Sequence, residues 1–98
     1  MALTAKQRHF LKGLAHPLAP VVRVGKGRLT QGIVAETKRS LEAHELIKVR
    51  IESDEVAERR DIAERLAAET NAQLAGTVGK VAILYRTRDE KPKIRLPG

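Results

Sequence analysis

With 98 residues, 19 Lys+Arg against 12 Asp+Glu and no cysteine, the chain reads as one small basic domain of net charge +7, free of disulfides and thiolate metal sites. Its pI of about 10.3 passes the level that marks an electrostatic footprint for nucleic acid, and the lack of cysteine fits a reducing, cytoplasmic setting. No apolar run approaches the ~20 residues of a membrane helix, and "MALTAKQRHF" lacks the uninterrupted apolar stretch of a signal peptide.

Thr4 and Gln7 form a capping-box pattern that opens a helix from Ala5 to Leu14, with Phe10, Leu11 and Leu14 at helical spacing. Pro17 and Pro20 end it, and the β-branched run Val21 to Val24 predicts a strand. A glycine turn follows, then a second helix capped by Thr30 that turns Ile33, Val34, Thr37 and Leu41 inward and ends near His44. "LIKVRI" (Leu46 to Ile51) alternates: Ile47, Val49 and Ile51 form a buried face, while Lys48 and Arg50 form a basic outer one. Ser53 or Asp54 is expected to cap a third helix with the stripe Ile62, Ala63, Leu66, Ala67 and Thr70, and Asn71 is its left-handed stop.

"QLAGTV" and "VAILYR" then read as two strands around Gly79-Lys80, a hairpin with glycine first, as a type II′ turn prefers. The order α-β-α-β-α-β-β predicts an α/β (α+β) domain over residues 1–87: a small mixed four-stranded sheet with packed helices. The β-α-β units argue for parallel pairing, and the closing hairpin adds an antiparallel strand. Residues 88–98, charged and proline-punctuated, are expected to be a basic, flexible tail.

The charge is segregated along the chain. No acidic residue precedes Glu36, while Lys6, Arg8, Lys12, Arg23, Lys26 and Arg28 all do, and seven of the twelve acids fall in residues 52–69. A polyanion would meet one side of such a molecule and be repelled from another.

"VVRVGKGRLT" (residues 21–30) places two glycines and two cations between a strand and a helix, an arrangement suited to a phosphate. It is not a Walker A loop, since Lys26 follows Gly25 directly and no Gly-Lys-Ser/Thr sits at the required spacing. The dinucleotide fingerprint needs glycine where Thr30 stands, and no second mononucleotide half follows. A strand-turn-helix that brings backbone N–H groups to a nucleic-acid phosphate fits better, as in the G-x-x-G loop of KH domains; a tight turn that only satisfies backbone angles fits equally well. Phe10 and Tyr85 are the only aromatics, too few for a reader that stacks bases on aromatic rings. Recognition should lean on phosphates, sugars and shape, with steep salt dependence, which favours structured RNA.

Catalysis finds little support. His9, His16 and His44 share no metal-ligand spacing, and Ser40 and Ser53 have no histidine at a suggestive position. Glu36, Glu42 and Glu45 read as solvated helix surface. No catalytic residue, metal site, cofactor or small-molecule substrate is expected.

"LKGLAHPLAPVVRVGKGRLTQGIVAE", then "HELIKVRI", then "GTVGKVAILYR", in this order over about residues 3–87, resemble the CRM domain in its stand-alone bacterial, YhbY-like form. The resemblance implies a fold similar to the C-terminal domain of bacterial translation initiation factor three and an RNA-binding activity. In bacteria it implies association with large-subunit (pre-50S) ribosomal precursors; related domains in plant organelles serve group II intron splicing. It maps a G-x-x-G loop onto Gly25, Lys26, Gly27 and Arg28. Arg28 stands where the family usually has its second glycine, and a glycine comes one position earlier at Gly27. If position 28 requires positive φ, arginine there costs on the order of 1 kcal/mol.

The expected function is RNA binding in large-subunit ribosome assembly, with Gly25, Lys26, Gly27, Arg28 and Thr30 at the phosphate. Lys48 and Arg50 join if their strand face is open, and Lys6, Arg8 and Lys12 if the first helix lies alongside. The alternative is a protein-interaction adaptor whose basic face docks an acidic partner.

Overall fold

Thr4 opens the first helix as its sequence predicts: its hydroxyl accepts from the Gln7 N–H at 3.1 Å, and the Gln7 side-chain oxygen accepts from the Thr4 N–H at 3.0 Å. This reciprocal cap satisfies two donors that a helix end otherwise leaves without partners. In the computed structural model, which describes residues 2–26 and 28–98, the elements that follow are α1 (Ala5–Ala15), β1 (Val22–Val24), α2 (Gln31–His44), β2 (Leu46–Ile51), α3 (Val56–Glu69), β3 (Gln73–Val78) and β4 (Val81–Tyr85).

Three helices pack on one mixed four-stranded sheet of order β1-β2-β4-β3. β1 and β2 pair in parallel, while β4 is antiparallel to both β2 and β3. The expected parallel pairing thus holds for the first β-α-β unit. In the second, β4 folds back between β2 and β3. Burial explains the choice. Ala82, Ile83, Leu84 and Tyr85 are all buried, as a central strand with cover on both faces requires. β3, with Gly76, Thr77 and an exposed Val78, tolerates the edge. Gly79 has φ 58° and Lys80 is not among the residues of positive φ, the pattern expected of a type II′ hairpin.

Each sheet face has its own core. Val22, Val24, Ile47, Val49, Ile51, Ala82 and Leu84 pack with Leu41 of α2 and Ile62, Ala63 and Leu66 of α3. On the opposite face, Leu46, Ala75, Ile83 and Tyr85 pack with Leu3 and with Leu11 and Ala15 of α1. Fully burying a side chain such as Leu11, Leu41 or Leu66 contributes about 1.5–3 kcal/mol each. α3 begins later than its sequence suggests, with Glu55 at the cap position and no side-chain cap bond. Ser53 and Asp54 are engaged elsewhere: the Ser53 hydroxyl accepts from the Glu55 N–H at 3.3 Å, and Asp54 pairs with Lys80 at 2.9 Å.

One reading needs correction. Glu45 is not solvated helix surface but fully buried. α2 stops at His44, and Glu45 turns to φ 63°, which swings its carboxylate inward. Residues of the expected tail, 88–98, make contacts with the domain. The Glu45 carboxylate accepts from the N–H groups of Arg88 (3.0 Å), Lys93 (2.6 Å) and Ile94 (3.0 Å). Ile94 and Leu96 then pack on the α1-side core, and the Gln7 amide donates to the Pro97 carbonyl at 3.1 Å.

Candidate nucleic-acid interface

The glycine turn leaves the sheet at the end opposite Glu45. It is closed by the Arg28 N–H, which donates to the Gly25 carbonyl at 2.9 Å. Lys26, first of its two central residues, takes φ 38°, the left-handed region that glycine favours. Gly27 lies outside the described residues.

Gly25 is unexplained from within. Its φ is not positive, and a Cβ built on it would meet nothing within 4 Å. Among the described residues neither backbone angle nor crowding requires glycine there, whereas a close approach from outside would. Downstream, the Thr30 hydroxyl accepts from the Ile33 N–H at 3.1 Å, so Thr30 acts as the cap of α2. The N–H groups of Gln31 and Gly32 open the helix without intrahelical acceptors, an arrangement that suits an anion. Lys26 and Arg28 are exposed and enter none of the ion pairs found among the described residues.

The other expected cations lie on α1 and on the sheet face beneath it, and the structure gives them unequal freedom. Lys48 is half-buried and donates from Nζ to the His16 carbonyl at 3.1 Å, a cation at the C-terminal end of α1. Arg50 is ion-paired through Nε with Glu52, their side chains 37% and 31% exposed. Arg8 donates to the Leu3 carbonyl at 2.7 Å and so ties down the N-terminal segment. Lys12 lies across β3, where a Cβ on Gly76 would collide with its Cε. Lys6 is exposed, but six residues before Lys12 it points about 120° away around α1, off this face.

One residue missed in sequence reasoning belongs here. Arg23 is exposed and sits directly opposite Arg50 in the parallel ladder, on the same face. Buried Val22 and Val24 on either side were the signal that could have found it. Glu52 and Asp54 reach this end of the sheet, paired with Arg50 and Lys80, while most other acids of residues 52–69 lie on α3, whose surface bears Glu58, Asp61, Glu64 and Glu69; α3 packs on the opposite sheet face and pairs part of its own charge through Arg60–Glu64 and Arg65–Asp61. Among the described residues, no group of three or more His, Cys, Asp or Glu is placed to hold a metal ion. Nor is any helix of those residues long and apolar enough to cross a membrane.

This sheet, loop and helix order has known counterparts. The family model of the CRS1 / YhbY (CRM) domain matches residues 3–86. The chain belongs to the CRM domain family. A Haemophilus influenzae protein named "RNA-binding protein" is 43% identical over 95 residues, which cover 97% of this chain and 95% of that one. The Bacillus subtilis "Probable RNA-binding protein YqeI" is 38% identical over 95 residues, covering 97% and 99%. The solution structure of a hypothetical protein from Staphylococcus aureus, described as a candidate RNA-binding protein, matches with a TM-score of 0.88 at 33% identity, over 97% of this CRM chain and 99% of its own.

Proposed function

We propose that this CRM protein binds structured RNA through its glycine-rich loop and acts, without catalysis of its own, as a cytoplasmic factor in large-subunit ribosome assembly. The observation that carries the reading is Gly25. Among the described residues nothing crowds a side chain there, yet it stands between a strand and the free N–H groups of α2, beside two exposed cations with no acidic partner among those residues. A phosphate approaching the backbone at Gly25 would meet N–H donors, the positive end of the helix dipole and the charges of Lys26 and Arg28 together. The names of the relatives support RNA as the polyanion. The assembly role and the large-subunit ribosomal RNA target are what the family resemblance implies.

Lys48, Arg50 and Lys12 extend this surface along the sheet face, and Arg8 and Lys6 contribute long-range charge. The test is binding to large-subunit ribosomal RNA fragments over a salt series, wild type beside Lys26→Glu/Arg28→Glu. Wild type should bind with a steep negative salt slope, and the variant, equally folded, should lose most affinity and about two units of slope. Equal binding by the variant rejects the loop as the phosphate clamp. The adaptor alternative is separated by nuclease: a protein partner survives RNase treatment of the complex, whereas RNA-mediated complexes fall apart.

A further inference from the structure

The face under α1 is not fully covered. Leu11 and Ala15 of α1 pack over Leu46, Ala75, Ile83 and Tyr85, and α1 ends where the His16 carbonyl receives Lys48. One cross-strand row lies beyond that end: Arg23 of β1, Arg50 of β2, Val81 of β4 and Val78 of β3, each directly opposite the next. Residues opposite one another share a face, so all four look out on the same side, and three strand spacings make the row about 14 Å long. Arg23 is exposed, Val78 is 62% exposed, and Arg50 and Val81 are half-buried.

This composition is odd for a surface meant only for phosphates. The exposed Val78 and half-buried Val81 offer nothing to an anion, but they make a flat apolar floor. Two guanidiniums in the same row add planar cations, one held in place by Glu52. A guanidinium plane accepts the face of an unpaired base, as aromatic rings do in proteins richer in them. The row lies next to the loop in the chain, Arg23 preceding Gly25 by two residues, at the sheet edge from which the chain crosses to α2 on the other face.

We infer that this row is a platform for unpaired bases: the loop holds a phosphate of an RNA strand, and the next one or two nucleotides lie with their bases against Arg23, Arg50, Val81 and Val78. The proposal rests on the RNA-binding reading and goes beyond it by naming single-stranded nucleotides beside a helix as the preferred target. It also explains how a chain with two aromatics, Phe10 and Tyr85, the second buried, reaches bases at all.

The experiment uses two synthetic RNAs, a plain duplex and the same duplex with a three-nucleotide single-stranded overhang bearing 2-aminopurine. Both are titrated with the full chain at several salt concentrations. Arg23→Lys keeps the charge and removes the plane; Val78→Ser removes the apolar floor; both are confirmed folded by circular dichroism. Wild type is expected to bind the overhang RNA at least roughly fivefold more tightly than the duplex, with a change in 2-aminopurine fluorescence. Each variant should lose that preference and that signal while keeping the salt slope, since the number of phosphate contacts is unchanged. If wild type shows no preference, or Arg23→Lys and Val78→Ser retain it, the platform is rejected while RNA binding stands. If wild type binds neither RNA even at low salt, the RNA-binding reading fails and takes the platform with it.

Discussion

The two ends of β2 use charge in opposite ways. Just before its first residue, Glu45 buries a carboxylate completely and gives every oxygen a backbone donor, two on Oε1 and one on Oε2. Toward its last residue, Arg50, paired with Glu52, stands beside an exposed Arg23 on an open face, and the neighbouring loop exposes Lys26 and Arg28 with no acidic partner among the described residues. A buried charge without partners is not tolerated, so the satisfied end must belong to the fold. A solvated charge costs the fold little, so the unsatisfied end is available to a ligand. Changes at the first end should therefore move stability, and changes at the second should move binding.

Glu45→Ala tests the first half most severely. It strands the N–H groups of Arg88, Lys93 and Ile94 and releases the segment that seats Ile94 and Leu96. A loss of about 2–4 kcal/mol in urea unfolding is expected, since each buried orphan costs about 1–3 kcal/mol and the freed tail regains some water. Amide exchange at Arg88, Lys93 and Ile94 should accelerate in step. Little change in either would mean that the clasp contributes nothing and that the two ends do not differ as described.

Acid sharpens the same point. Burial pushes the Glu45 carboxyl up, but the three backbone N–H bonds and the Arg88 charge outweigh it and hold the group below its ordinary value of 4.5. With the folded pKa below the unfolded one, the stabilisation is fully present above the unfolded value and disappears as pH falls through the folded value. Wild type should thus lose its advantage over Glu45→Gln progressively below pH ~4.5. A stability difference between the two proteins that stays constant from neutral pH into that range contradicts the assignment.

At the open end, Gly25→Ala should leave stability within about 0.5 kcal/mol of wild type, because the added methyl meets no neighbour within 4 Å. RNA affinity should fall about tenfold, the loss of one hydrogen bond to a charged phosphate. A variant that melts early would show that the glycine serves the fold after all.

Much of this division was legible in the sequence, and the misses have a common cause. The alternation of "LIKVRI", the Thr4 and Thr30 caps, the Asn71 stop and the Gly79 hairpin are local patterns, each read within a few residues. Asn71 does take φ 56°. Glu45 looked like surface because its partners lie 43 to 49 residues away in a segment of ordinary charged composition. No window along the chain contains both halves of that clasp. The place of β4 between β2 and β3 is likewise a contest between two strands for cover, decided by tertiary burial. At the site, the loop and its cap were visible, but which cations stay available was not, because Lys48, Arg50 and Arg8 are claimed by His16, Glu52 and Leu3 only once the chain folds.

The smallest expected effect concerns the ion pair at the hairpin of the open end. Asp54 accepts from Lys80 at 2.9 Å, and this hydrogen bond and charge hold its carboxyl below the ordinary range. The Asp54 side chain is 93% exposed, so solvent screens the pair and the fold gains nothing measurable from it. Asp54→Asn should melt with wild type. Its RNA affinity should rise slightly at low salt, since a negative charge beside Lys80 is gone, and the gain should vanish at high salt. A lowered melting temperature would place this pair with Glu45 among the charges that hold the fold, and the boundary between the two ends would then have to be drawn beyond the hairpin.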